Sequence, residues 1–164
     1  MKIDDWKHAS RSNGAKYHIY CKDEILVLHA AQPSDLHDMG AVKQLASPTL
    51  CRGNRIRFQA EVATKDTDGA GLWLTASHRD WHLTDGMYDR LIKGTSDWQP
   101  IALVIDVPAD TTYISFGVWM TGNGECRIRN PKFDLVDEAV PVTASKVWDQ
   151  VASSRWVERP DFET

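Results

Sequence analysis

No apolar run in this chain approaches the length needed to span a bilayer. The first residues, Met1-Lys2-Ile3-Asp4-Asp5, are too polar and acidic for a secretory leader. Cysteine is sparse. Cys21, Cys51 and Cys126 share no metal-ligand or redox spacing, and their odd number fits free thiols in a reducing compartment. Basic charge is not in surplus: 19 Lys and Arg stand against 23 Asp and Glu, for a net charge of -4. A nucleic-acid surface needs clustered cations to displace counterions, and the group Arg52, Arg55 and Arg57 has Glu61 beside it. Catalytic signatures are missing as well. No Ser sits in a nucleophile-elbow pattern, and no pair of carboxylates declares itself as acid and base. Lys93-Gly94-Thr95-Ser96 lacks the glycine spacing and the following helix of a phosphate loop. These absences point to a soluble cytoplasmic protein that is not an enzyme, with no cofactor, no nucleic-acid partner and no membrane partner.

What is present is β-structure. The 164 residues suit one domain with a sizeable core. Short runs of alternating polarity are broken by Gly, Pro, Asn and Asp, which is how a sandwich or barrel reads. Residues 25–31 form a strongly apolar run, and 41–45 is a second candidate strand. Arg55 to Ala63 alternates, with Ile56, Phe58, Ala60 and Val62 on one side. A turn at 66–69 separates it from 71–76, where Leu72, Leu74 and Ala76 oppose Trp73 and Thr75. Further strands are expected at 87–92, 98–107, 113–120, 125–129 and 132–136, with turns at 93–97 and 121–124. The last of these, Thr121-Gly122-Asn123-Gly124, has the chemistry of a hairpin turn, since Gly and Asn tolerate positive φ. The chain divides into 1–138, the sandwich, and 139–164, a tail. In the tail Ala144, Val147, Trp148, Val151 and Ala152 fall at helical spacing behind Thr143, a suitable N-cap. Such a short amphipathic helix either covers a sheet edge or uses Trp148 and Trp156 to anchor a partner.

One succession is more specific. Asp89-Arg90-Leu91-Ile92-Lys93-Gly94-Thr95-Ser96-Asp97-Trp98-Gln99 leads into a strand ending Asp106-Val107-Pro108. Ile114-Ser115-Phe116-Gly117-Val118 and the 121–124 turn follow, and Arg52-Gly53-Asn54-Arg55-Ile56-Arg57-Phe58 and Ala70-Gly71-Leu72-Trp73-Leu74 precede. Over roughly residues 6 to 136 the chain resembles a bacterial jelly-roll domain related to carbohydrate-binding modules of the galactose-binding-like class. In that family the domain stands alone or behind helix-turn-helix regulators. The resemblance implies an all-β jelly-roll β-sandwich and a binding role, with no settled ligand. It departs after Gly124. The family usually has paired acids on the next strand, and here Ile128-Arg129-Asn130-Pro131 stand in their place.

If the apolar alternations all face one core, their odd-numbered neighbours face outward. Arg57, Gln59, Glu61, Trp73, Thr75, Ser115 and Trp119 would then share one hollowed surface. Trp73 and Trp119 would stack on a sugar ring, while Arg57, Gln59 and Glu61 would fix its hydroxyls. The loop His78-Arg79-Asp80-Trp81-His82 would supply the rim through His78, Trp81 and His82. Arg90 would orient the ligand or pair with a carboxylate. The His78 and His82 spacing resembles a helical metal pair, but in a loop between strands no metal is expected. The expected function is a noncatalytic ligand-binding module for a carbohydrate or similar small polar molecule. The alternative is a protein-interaction or regulatory sensor domain that meets a second copy or a protein partner through its tail. A glycoside-active enzyme is the weakest reading.

Overall fold

A computed structural model describes residues 5–9, 16–31 and 35–144, and the backbone of 147–149. In chain order the elements are β1 (Lys7–His8), β2 (Tyr17–Lys22), β3 (Ile25–Ala30), β4 (Met39–Ala46), α1 (Pro48–Cys51) and β5 (Arg55–His78). After them come β6 (Trp81–Asp85), β7 (Ile92–Asp106), β8 (Tyr113–Thr121), β9 (Glu125–Val136) and β10 (Val147–Asp149). Every pairing is antiparallel.

The 24-residue β5 decides the architecture. Its first half pairs with β7 and β9, and its second half pairs with β8 and β6. Register shifts between Val62 and Ala70, with Asp66 at φ 49°, carry the strand from one layer into the other. The first layer therefore runs β1-β4-β8-β5-β6-β10 and the second β7-β5-β9-β3-β2. Ile56, Phe58, Ala60 and Val62 of one half and Ala70, Leu72, Leu74 and Ala76 of the other enter the same core. Phe116 of the first layer closes this core against two rings of the second, Phe58 at 4.8 Å and Phe133 at 4.7 Å between centroids. Each such side chain contributes about 1.5–3 kcal/mol on burial, so the interlayer aromatics are a main source of cohesion. The all-β sandwich expected from the alternation is what forms.

Several local expectations are corrected. The turns at 66–69 and 93–97 are absorbed into β5 and β7, because the two strands pair along their bulged parts. Of the strand expected at 87–92, residues 87–91 form a loop and Ile92 opens β7. The Asp85 carboxylate accepts the Met87 N–H at 3.1 Å and turns the chain out of the sheet, with Met87 at φ 58°. Thr121-Gly122-Asn123-Gly124 does not close a hairpin, since β8 and β9 lie in different layers. Instead it arches between them. Gly124, at φ 101°, passes so close to the Asp66–Thr67 backbone that a Cβ would come within 2.5 Å of Thr67 Cα.

The tail is also corrected. Thr143 does not cap a helix. Its N–H donates to the Val104 carbonyl at 2.8 Å, and its hydroxyl accepts the Val104 N–H at 2.8 Å, along the free edge of β7. Val147–Asp149 then pairs with Leu83, His82 and Trp81 on the edge of β6. The edge-covering role stands, achieved by extended chain rather than by a helix. The rest of the predicted helix, 145–146 and 150–152, and Trp156 lie outside the described residues.

All three cysteines carry free thiols. Cys51 and Cys126 are buried, and burial pushes the Cys126 thiol up to about 12, far from the thiolate range. Among the described residues no helix is long and apolar enough to cross a membrane.

Candidate functional site

Because both halves of β5 turn their even-numbered side chains inward, their odd-numbered side chains point to opposite sides of the sandwich. Arg57, Gln59 and Glu61 lie outside the second layer, whereas Trp73, Thr75, Ser115 and Trp119 lie outside the first. The single shared surface expected from the sequence does not exist.

The outer side of the second layer is a field of paired charges. Arg57 donates to both Asp134 oxygens, at 3.1 and 2.8 Å, and Lys132 lies 3.3 Å from the same carboxylate. Arg129 donates to both Glu61 oxygens at 3.2 and 3.0 Å, and the Asn130 amide donates to one of them. The Arg129 guanidinium also sits 4.2 Å from the centre of the Trp98 ring. Gln59 lies between Ala102 and Lys132 in register. Arg57 and Glu61 thus spend their hydrogen bonds on neighbouring strands. Hydrogen bonds from Arg57 hold the Asp134 carboxyl below the ordinary aspartate value of 3.8, with Lys132 adding to the effect. A carboxyl depressed on folding stabilises the protein above its unfolded pKa, and this contribution is lost as pH falls through the folded value. Asp134→Asn should therefore cost about 1 kcal/mol at neutral pH. In thermal melts the difference from wild type should hold above the ordinary aspartate value and shrink progressively as pH falls below it. A difference that does not change with pH would show that the ion pair is not its source.

Outside the first layer, Trp73 and Trp119 are not exposed platforms: they are 0% and 5% exposed. With Met39 and Ala41 they form a second, smaller apolar cluster, against which Ala9 and Leu91 pack. Trp119 Nε1 donates to the Gly86 carbonyl at 3.1 Å, and the Tyr88 ring lies 5.6 Å from the indole. The loop 86–91 thus lies over Trp119. Arg90 secures that loop, donating to the buried Asp85 carboxylate at 2.6 Å and to Asp89 at 2.9 Å. Arg90 is an internal strut here.

Beside this cluster the strands set down rows of hydroxyl groups. Thr84, Thr75 and Ser115 are in register across β6, β5 and β8, and His82, Ser77 and Tyr113 form the next row. Thr75 and Thr84 share a hydrogen bond of 2.9 Å. Ser115 is fully buried, and its hydroxyl has no hydrogen-bond partner among the described residues. Lys43 is in register with Gly117, yet its Nζ donates to the Tyr113 hydroxyl at 3.2 Å. Since Ser115 lies between Gly117 and Tyr113 along β8, the Lys43 and Tyr113 side chains meet above it.

The β5–β6 hairpin closes one end. His78 pairs with Trp81 and His82 with Ser77, so the two histidines face opposite sides and cannot share a metal ion. Among the described residues no group of three or more His, Cys, Asp or Glu could hold one. Trp81 stacks on His78 at 6.2 Å, donates to Asp110 at 3.1 Å and packs on the main core, which fixes it as a post rather than a lid. Of the predicted residues, the structure gathers Thr75, His82 and Ser115 on one face, with Trp73 and Trp119 in the packed cluster beside them. It places Arg57, Gln59 and Glu61 elsewhere. Lys43, Ser77, Thr84 and Tyr113 are additions. Lys43 was detectable as the one cation alternating with Ala41 and Leu45 in β4.

No protein-family model matches the chain. The uncharacterized HTH-type transcriptional regulator YbfP of Bacillus subtilis (strain 168) is 32% identical over 119 residues, 71% of this chain and 40% of the relative. The chain thus spans less than half the length of the curated relative it matches. Among solved structures, the CBM22-1 xylan-binding domain from Paenibacillus barcinonensis Xyn10C superposes with a TM-score of 0.56 at 11% identity. That match covers 83% of this chain and 88% of that one. A CBM4 structure gives a TM-score of 0.52 at 14% identity, over 73% of this chain and 78% of that one. At such identities the likeness shows the fold, the jelly roll of carbohydrate-binding modules.

Proposed function

We propose that this chain is a noncatalytic module that binds a carbohydrate on the outer side of its first layer. The observation that carries this reading is the buried Ser115 hydroxyl, without a partner among the described residues, on an outward sheet face and in register with Thr75 and Thr84. A buried hydroxyl left unpaired costs about 1–3 kcal/mol, a cost that a bound polyol offsets by supplying the missing bond. Tyr113 and His82 extend the same rows with an aromatic ring and an imidazole, groups suited to sugar C–H faces and hydroxyls. The packed Trp73–Trp119 cluster stiffens the strands beneath, which limits the ordering cost of binding. The fold agrees with the reading, since one structure that shares it is described as a xylan-binding domain.

Calorimetric titration with a panel of plant and bacterial oligosaccharides tests the proposal. At least one sugar should bind, and Tyr113→Ala should weaken it roughly tenfold or more. Arg57→Ala, on the opposite layer, should leave the affinity unchanged. The reverse pattern, or no binding across the panel, would reject the site.

The similarity to YbfP favours a second reading in which the same face senses a ligand for a helix-turn-helix regulator. Fluorescence titration of the chain joined to such a regulator would show a ligand response that Tyr113→Ala removes.

A further inference from the structure

The proposed sugar-binding face has a charge pattern unlike the rest of the molecule. Its outward strand positions in β1, β4, β8, β5 and β6 hold Lys7, Lys43 and His82 and no carboxylate, in a chain where acids outnumber bases 23 to 19. On the opposite layer Arg55, Arg57, Arg127, Arg129 and Lys132 each lie against a carboxylate. Lys7 and Lys43 are directly opposite each other in the β1–β4 ladder, a placement that like charges disfavour. Neither ammonium meets a carboxylate among the described residues. An anion supplied from outside would relieve that repulsion.

The donors beside Lys43 specify where such an anion would sit. The Lys43 ammonium uses one N–H on the Tyr113 oxygen and keeps two. The Tyr113 hydroxyl accepts that bond, so its own proton remains available. Beneath both lies the Ser115 hydroxyl, which has no partner among the described residues. Three donor groups and a second cation on neighbouring strands, with no carboxylate at the outward strand positions, match a carboxylate better than a neutral hydroxyl, which must also donate.

We infer that the ligand is an acidic saccharide, a sugar carrying a uronate carboxylate, seated at Lys43, Tyr113 and Ser115 with Lys7 adding charge. The inference rests on the reading of this face as a sugar site. Titrations would use tetragalacturonate, its methyl ester, the neutral galactose tetramer and a sulfated galactan oligosaccharide, at low and at physiological salt. The free acid should bind roughly tenfold more tightly than its ester or the neutral tetramer, and salt should narrow the gap. Lys43→Met should erase the preference, so that the free acid binds no more tightly than its ester. Lys7→Met should reduce it. Equal binding of acid, ester and neutral forms would overturn the inference and leave the sugar site standing. Preference for the sulfated sugar alone would overturn the carboxylate assignment. Failure of every saccharide to bind would remove both readings. Lys43 is half-exposed, so its replacement is not expected to unfold the protein, and an unchanged melting curve would confirm that.

Discussion

Trp73→Ala should lower the folding free energy by about 3–5 kcal/mol, the range for removing a large aromatic from a packed interior. Trp73 has no exposed surface. Its ring lies across Gly117, where a Cβ would come within 2.5 Å of the indole Cη2 and would also meet the Val42 carbonyl oxygen. The sheet therefore has a glycine where the ring needs space, and on either side Met39, Ala41 and Trp119 complete the packing. Alanine at 73 leaves a cavity between these groups that the sheet cannot collapse to fill, because the β4–β8–β5 ladders hold its floor. Gly117→Ala attacks the same contact from below and should also destabilise, by about 1–3 kcal/mol from overpacking. Urea unfolding of the two variants checks both values. A domain of this size has about 5–15 kcal/mol in total, so Trp73→Ala would show as a large shift of midpoint. If Trp73→Ala unfolded at the wild-type midpoint while losing sugar affinity, the ring would have to be a ligand platform after all.

The placement of Trp73 shows how far the sequence could be read. Alternation assigned the inward side correctly in 56–62, in 72–76 and in 114–120, because period-2 polarity is a local property of a strand. The layer in which each run would lie is not local. It depends on the register shifts of β5 between Val62 and Ala70, which arise from simultaneous pairing with β7, β8 and β9. Two runs with the same parity in one continuous strand therefore faced opposite solvent sides, and Arg57 parted from Thr75. The burial of Trp73 and Trp119 was hidden for a related reason. Trp73 needs Gly117 across the ladder and Trp119 needs the loop 86–91 above it, and each lies far in sequence from the tryptophan it serves. In the tail, the spacing of Ala144, Val147 and Trp148 fits a helix, but the open edge of β6 offers backbone hydrogen bonds that a short helix cannot match. Thr75 and Ser115 were recoverable because they lie on strands whose outward parity and common layer both held, whereas His82, expected on a rim loop, lies instead on β6 opposite Ser77.

Asp85→Ala should destabilise by about 2–4 kcal/mol and loosen the loop that covers Trp119. Asp85 is 3% exposed, and its two oxygens do different work: one receives the Arg90 guanidinium at 2.6 Å, the other the Met87 N–H at 3.1 Å. Removing the carboxylate leaves the Arg90 guanidinium only the exposed Asp89 carboxylate and leaves a buried backbone donor without an acceptor, and both are costly. The Arg90 side chain is 39% exposed, so water recovers part of its loss, which places the effect at the lower end for a broken internal pair. Asp85→Asn separates the two terms. The amide oxygen can still receive the Met87 N–H, so about 1 kcal/mol should return, while the charge deficit at Arg90 persists. The consequence reaches Trp119 because its indole N–H is held by the Gly86 carbonyl at the start of the same loop. In Asp85→Ala the tryptophan emission should shift to the red and limited proteolysis should cut within 86–91, before global unfolding. Wild-type emission together with wild-type stability would mean that the side-chain packing of Met87 and Leu91 holds the loop without the ion pair.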